Sequence, residues 1–165
     1  MAVGGRFGDF VRWARQDEQG RPGLLGWHRA LRALRWTRAK AAACAQLLQQ
    51  HRRQRLLFFT QDRESAYALC RSCHALPITA ELPAAARRQA LQAWADGEVP
   101  ALCGPRLLEE AHGLPPADVG VVVGAAFGHG QLEARLRRVR PDGAFYQLVT
   151  ADTVEVGRLW RDAVA

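Results

Sequence analysis

Two hydrophobic periods alternate along this chain. From Gly26 to Gln50, alanine, leucine and arginine follow one another with no glycine or proline after Gly26, which predicts one long helix. Leu34, Thr37, Ala41, Cys44 and Leu48 recur on it every three or four residues, a face of small side chains suited to close packing. The unbroken apolar run Leu56-Leu57-Phe58-Phe59-Thr60 then predicts a buried strand. Asp62 is placed as the N-cap of a helix reaching Cys73. Leu76-Pro77-Ile78-Thr79 reads as a second strand, its proline pointing to a start or an edge position. Pro83 suits the first turn of a helix that runs to Trp94 and ends at Asp96-Gly97. Val99 to Cys103 is a third strand, followed by Gly104-Pro105 and a short helix from Arg106 to Ala111. Asp118 to Val123 is the clearest strand; it leads through a glycine-rich turn, Gly124 to Gly130, into a basic helix from Gln131 to Val139. Pro141-Asp142-Gly143 is expected as a turn, Phe145 to Thr150 as the last strand, and Asp152 as the cap of a helix to Val164.

Strands alternating with helices imply βαβ crossovers, so the expected fold is α/β, a mostly parallel sheet with helices on both faces. A length of 165 residues suits one core. Glycine, proline and mixed charge mark residues 1–27 as a linker or remnant and leave 28–165 as the domain. No internal repeat is visible.

Composition narrows the class. Apolar residues at 48% and charged residues at 24% exclude a disordered chain. The longest nearly apolar run, Val119 to Gly128, falls well short of the roughly 20 residues that span a bilayer. The first residues show no charged-then-apolar leader, so a cytoplasmic protein is expected, with no membrane partner. The net charge of +7 is concentrated between Gly20 and Gln61, which hold nine basic residues and no acid. A basic segment on a neutral body points to a polyanion, nucleic acid first and an anionic protein second, against the plain alternative of a solvated helix face.

Cys44, Cys70, Cys73 and Cys103 read as reduced thiols. Cys70-Arg71-Ser72-Cys73-His74 has the C-x-x-C-H form of haem attachment, but Met1 is the only methionine and no second ligand pair exists for zinc. No metal or haem site is expected there. Gly124 to Gly130 lacks the G-x-G-x-x-G spacing of a dinucleotide site, and His129 reads as a surface turn residue. Cys103 and His112 would act as nucleophile and base only if the fold joined them. Neither Ser65 nor Ser72 sits in a G-x-S-x-G turn. Among the five tryptophans, Trp27 and Trp36 lie among arginines and are the candidates for base stacking.

The order of these elements, with their turn residues, resembles the second RecA-like domain of superfamily-two helicases, nearest to the XPB-type DNA repair helicases. Leu57-Phe58-Phe59-Thr60-Gln61-Asp62 is similar to motif IV, roughly L-I-F-T-x-D. Pro77-Ile78-Thr79, Arg88, Trp94 and Gly97 resemble the positions that follow it. Leu107 to Pro115 resembles motif V, usually L-D-E-G-I-D-L-P, and Ala117-Asp118-Val119 the strand start after it. Arg135 to Pro141 resembles motif VI, usually Q-R-L-G-R-V-L-R-P, and Tyr146 to Thr150 the final strand. The resemblance implies a three-layer RecA-like domain.

It also implies roles. Arg138 and Arg140 correspond to the motif VI arginines that reach nucleotide phosphates, and Glu110, Arg135 and Arg138 form the implied nucleotide-binding set. Thr60, Gln61, Gly104 and Arg106 would track a nucleic-acid backbone, DNA ahead of RNA, together with Arg29, Arg32, Arg35 and Arg38. There are departures. The motif V glycine and aspartate fall on Ala111 and Gly113, and the motif VI glutamine and glycine on Ala134 and Arg137. One residue is missing before Arg140, which on a helix would rotate it by roughly 100°. No G-x-x-x-x-G-K-[ST] loop or acidic metal box is present, so the chain alone binds no cofactor and should not hydrolyse ATP. ATP and Mg²⁺ would be shared with an N-terminal helicase ATPase domain on another chain or upstream of a truncation. Two readings stand: a helicase half working with that domain, or an inactive descendant that binds nucleic acid or docks to protein.

Overall fold

The computed structural model describes residues 7–107, 112–124 and 129–157. The chain divides into two compact units, Met1–Leu34 and Arg35–Ala165. The first holds helix α1 (Phe7–Gln16) and most of helix α2 (Arg21–Arg35). The segment expected as a linker is therefore largely helical. Its glycine serves a close approach: a Cβ on Gly20 would lie 2.6 Å from the Ala14 Cα, so the turn after α1 folds tightly against it. Asp17 holds that turn, its carbonyl accepting the N–H groups of Gly20 and Arg21.

The long helix expected from Gly26 to Gln50 is broken at Trp36-Thr37. Thr37 is extended (φ −118°, ψ 161°), and its hydroxyl accepts the Lys40 N–H at 3.2 Å, making it the N-cap of α3 (Arg38–Gln50). A threonine can offer its side chain to the backbone and so start a helix where no glycine or proline announces a break.

The described residues of the second unit form a five-stranded sheet in the order β2-β3-β1-β4-β5, with all neighbours parallel. The strands are β1 (Leu56–Phe59), β2 (Ala75–Pro77), β3 (Ala101–Gly104), β4 (Ala117–Val123) and β5 (Val139–Leu148). Helices α4 (Arg63–Ser72), α5 (Ala84–Ala95) and α6 (His129–Leu136) supply the crossovers. Side chains alternate between two cores. Leu56, Phe58, Cys103 and Val121 pack with Cys44 and Leu47 of α3 and with Leu69 of α4. Leu57, Phe59, Leu102 and Val122 pack with Leu91 and Trp94 of α5 and with Leu132 of α6. The arrangement has three layers, as expected. Each fully buried Leu or Phe on these strands contributes roughly 1.5–3 kcal/mol.

Asp62 caps α4 as expected: its carboxylate accepts the Ser65 N–H at 2.8 Å and a hydrogen bond from Arg35 at 2.7 Å. Two expectations change near the C-terminal end. The basic helix stops at Leu136, and the last strand begins at Val139 and runs through Pro141-Asp142-Gly143. Between the pairs Ala117–Val139 and Val119–Ala144, β4 advances two residues while β5 advances five, so the supposed turn is a bulge. Gly143 permits it, since a Cβ there would meet the Asp118 carbonyl at 2.6 Å. Asp152 is not the cap: it has φ 56°, and the Thr153 hydroxyl instead accepts the Glu155 N–H at 3.3 Å. Most of the short helix from Arg106 and of the glycine-rich turn lies outside the described residues.

Two candidate functional edges of the sheet

Because every strand runs the same way, their C-terminal ends share one edge of the sheet and their N-terminal ends the opposite one. The C-terminal edge gathers Thr60, Gln61, Gly104 and Arg106. Thr60 is buried; its N–H bonds to the Gly104 carbonyl at 3.3 Å and its hydroxyl to the Asp62 carbonyl at 3.0 Å. Gly104 passes so close to the Ile78 carbonyl that any Cβ would overlap it. Arg106 is exposed. Gln61 lies against Gly124, whose φ of +108° only glycine adopts readily.

Beside them lies a buried ion pair that sequence reading missed. Lys40 Nζ donates to both Glu155 oxygens, at 2.8 and 2.7 Å, and the two side chains are 3% and 4% exposed. Glu155 Oε2 also accepts the Thr150 N–H at 2.8 Å. The pair joins α3 to the segment after β5. Its one sequence signal is that Lys40 is the only lysine in an arginine-rich chain.

The N-terminal edge gathers Arg55, Asp118, Arg138 and Arg140. Arg138 is half-buried and lines a pocket of about 70 Å³ with Leu57, Trp94, Leu114, Pro115 and Pro116. Arg140 is on β5 rather than on a helix, so the rotation expected from a missing residue does not apply. Its guanidinium is held by Asp118 at 3.1 Å and Asp142 at 3.3 Å. Asp118 also accepts the Arg55 N–H at 2.7 Å, which ties the starts of β1, β4 and β5 together.

The other candidates are placed as follows. Arg135, expected beside Arg138, turns beneath α6: it is 2% exposed and stacks 5.5 Å from the centre of the Phe59 ring. Its Nε and Nη1 have no hydrogen-bond partner among the described residues, and burial pulls its pKa down to about 10. Glu110 lies outside the described residues. Arg35 is committed to Asp62, while Arg29, Arg32 and Arg38 are exposed. Burial would raise the Asp62 carboxyl, but hydrogen bonds from Arg35 and Ser65 outweigh it and hold it below the ordinary value.

The three buried thiols are poor nucleophiles. Cys44, Cys73 and Cys103 sit in one core, and burial pushes the Cys44 thiol up to about 12 and the Cys103 thiol higher still. His112 is exposed on a turn while Cys103 is wholly buried. Among the described residues no group of three His, Cys, Asp or Glu side chains is placed to hold a metal. No helix among them is long and apolar enough to cross a membrane.

This fold and its two edges define a RecA-like domain of the helicase type. The model of the helicase conserved C-terminal domain matches residues 39–161, and the chain belongs to that family. It is 26% identical over 133 residues to the DNA 3'-5' translocase XPB2 of Sulfurisphaera tokodaii, covering 81% of this chain and 30% of the translocase. The chain therefore spans under a third of that curated relative. Among solved structures, the C-terminal domain of the DEAD-box protein Dbp5 superposes with a TM-score of 0.67 at 12% identity, covering 79% of this chain and 80% of that one. The E. coli DEAD-box protein SrmB, bound to regulator of ribonuclease activity A, gives 0.61 at 22% identity, with 74% and 77% covered.

Proposed function

We propose that the chain is the second RecA-like half of an ATP-dependent DNA translocase, completed by a P-loop ATPase domain outside the 165 residues. The observation that carries this reading is the division of labour between the edges. Arg138 stands at the N-terminal edge, and the backbone-tracking residues Thr60, Gln61, Gly104 and Arg106 stand at the other. Phosphoryl transfer needs little beyond positioning and charge stabilisation, so an arginine offered to the γ-phosphate is a large share of what a second domain contributes. ATP and Mg²⁺ would be held by the partner's phosphate loop and acidic ligand. Exposed Arg29, Arg32 and Arg38 add sequence-independent attraction for phosphates, and Arg35 contributes less because Asp62 already holds it. Family membership supports nucleic acid as the partner, and the relation to the XPB2 translocase favours DNA over RNA.

One observation favours the non-catalytic reading. Arg140 is clasped by Asp118 and Asp142, so one of the two motif VI arginines is already engaged within the domain. The deciding experiment isolates the native complex from cells, weighs it intact and measures DNA-stimulated phosphate release. A stoichiometric P-loop ATPase whose turnover falls by about 10³-fold or more with Arg138→Ala supports the proposal. A complex in which that substitution leaves turnover unchanged refutes it.

A further inference from the structure

The stretch Cys70 to His74 holds no metal cluster, yet it frames a groove that the reading above leaves unused. Two cavities of about 350 and 400 Å³ meet there and share Ser72, Cys73, His74 and Pro100. One wall belongs to α3. Ala45, Leu48, Gln49 and Arg52 recur at three and four residues, so they form a single stripe on that helix. The other wall is the end of α4 with the turn into β2, and Val99-Pro100 lead from the groove into β3. The groove thus lies at the N-terminal ends of β2 and β3, on the sheet face that α3 and α4 cover. Arg140 starts out on β5, at the other side of the sheet.

The rim of this groove is cationic and uncommitted. Arg52, Arg71 and His74 are exposed, and among the described residues their side chains make no ion pair or hydrogen bond. Other arginines of the second unit are engaged: Arg35 and Arg55 are paired with Asp62 and Asp118, and Arg63 and Arg140 also have carboxylate partners. Glu98, the one acid among the lining residues, borders the second cavity only. The remaining lining is largely apolar. Leu48 packs on the core, Cys73 is 7% exposed, and Leu76 presents 37% of its surface beside the second cavity.

We propose that this groove docks an acidic segment of a partner protein, with a large apolar side chain seated on its floor. Carboxylates of that segment meet Arg52, Arg71 and His74, and complementary charge sets its position along the groove. The apolar floor decides between a peptide and a polynucleotide. A peptide can bury leucine or an aromatic ring there, whereas a nucleic-acid backbone presents charged phosphates and gains little from an apolar surface. The residues that would track a nucleic-acid backbone, Thr60, Gln61, Gly104 and Arg106, also stand at the opposite edge of the sheet. The proposal is independent of the role given to Arg138, and it holds whether or not a P-loop ATPase completes the chain.

The test selects a random peptide library displayed on phage against the full chain and, in parallel, against Arg52→Glu with Arg71→Glu. Peptides enriched on the wild type alone should carry acids around a leucine or an aromatic residue. The leading peptide, made with a fluorophore, is then followed by anisotropy. The double variant should bind it about 10- to 100-fold more weakly, because reversal puts like charges together. Serine in place of the peptide's apolar residue should cost about 10-fold or more, the scale of one buried leucine. Arg88→Glu, on α5 across the sheet, should bind as the wild type does. Cys70, the half-buried thiol that lines the groove, reports occupancy directly. Its alkylation by iodoacetamide should slow about 10-fold when peptide is present at ten times its Kd. Circular dichroism checks the fold, and Arg52→Gln with Arg71→Gln carries the comparison if charge reversal unfolds the chain. No enrichment beyond the double variant, enriched peptides without acids, or unchanged Cys70 alkylation in the bound state overturns the proposal. So does a double variant that loses affinity for single-stranded DNA but keeps the peptide, which would make the groove a polynucleotide site.

Discussion

Lys40→Met should be among the most damaging single changes in the second unit. The substitution keeps most of the side-chain volume but leaves the Glu155 carboxylate, 4% exposed, without its ammonium partner. The Thr150 N–H remains as one acceptor contact for Oε2, too little to stabilise a buried charge. Breaking a buried pair from one side costs about 3–5 kcal/mol, mostly the price of the stranded ion. With a urea slope of about 2 kcal/mol/M for a domain of this size, that loss moves the unfolding midpoint down by about 2 M. Replacing both partners, Lys40→Met with Glu155→Leu, removes the stranded charge and should recover most of the loss. A residue of about 1 kcal/mol should remain for the unpaired Thr150 N–H. Equilibrium urea unfolding of the four proteins, followed by circular dichroism, gives the coupling directly. A loss below about 1 kcal/mol for Lys40→Met, or a double variant as unstable as the sum of the singles, would refute the reasoning.

Asp62→Ala should cost about 1–2 kcal/mol at neutral pH through the lost cap of α4. Because the folded carboxyl sits below its ordinary value of 3.8, that contribution is complete above about pH 4 and fades as pH falls through the folded value, so wild type and variant should converge in acid unfolding curves. Arg135→Met should stabilise the fold by about 1–3 kcal/mol, since it removes a buried guanidinium two of whose nitrogens have no hydrogen-bond partner among the described residues. The folded value near 10 lies below the ordinary guanidinium value, so the wild-type penalty is full below pH 10 and relaxes above it, and the variant's advantage in chemical denaturation should narrow there. Gly104→Ala should lower stability by about 2–4 kcal/mol by driving a methyl into the Ile78 carbonyl. Gly97→Ala, with open space but φ +80°, should cost nearer 1 kcal/mol, and thermal melts of the two variants check both values.

What could be read from sequence was what is local. The apolar runs of β1 and β4, the Asp62 cap and the Pro83 start of α5 all depend on neighbours within a few residues, and motif order then supplied the fold. The break at Thr37 escaped because a threonine in an alanine-rich run is ambiguous between helix interior and cap until tertiary packing decides. Pro141-Asp142-Gly143 has turn chemistry, but pairing of β5 with β4 absorbs it as a bulge, which only the register reveals. The Lys40–Glu155 pair spans 115 positions and has no local signature. Arg140 fits the motif by position, yet the carboxylates that hold it come from the bulge and from β4. The helices within the expected linker escaped for a similar reason: a glycine permits a close helix–turn contact as readily as it permits disorder.

Burial of the chain's one lysine also fixes how the folded protein meets amine-directed chemistry. Acetyl donors, isothiocyanates and other acylating reagents find no accessible ε-amine on the native second unit, because Nζ of Lys40 is enclosed and bound to a carboxylate at 2.7 Å. Modification at that position can proceed only when α3 releases the segment that follows β5. The rate of Lys40 acylation is therefore a built-in clock for opening of this domain, readable by mass spectrometry without an added label on any other side chain.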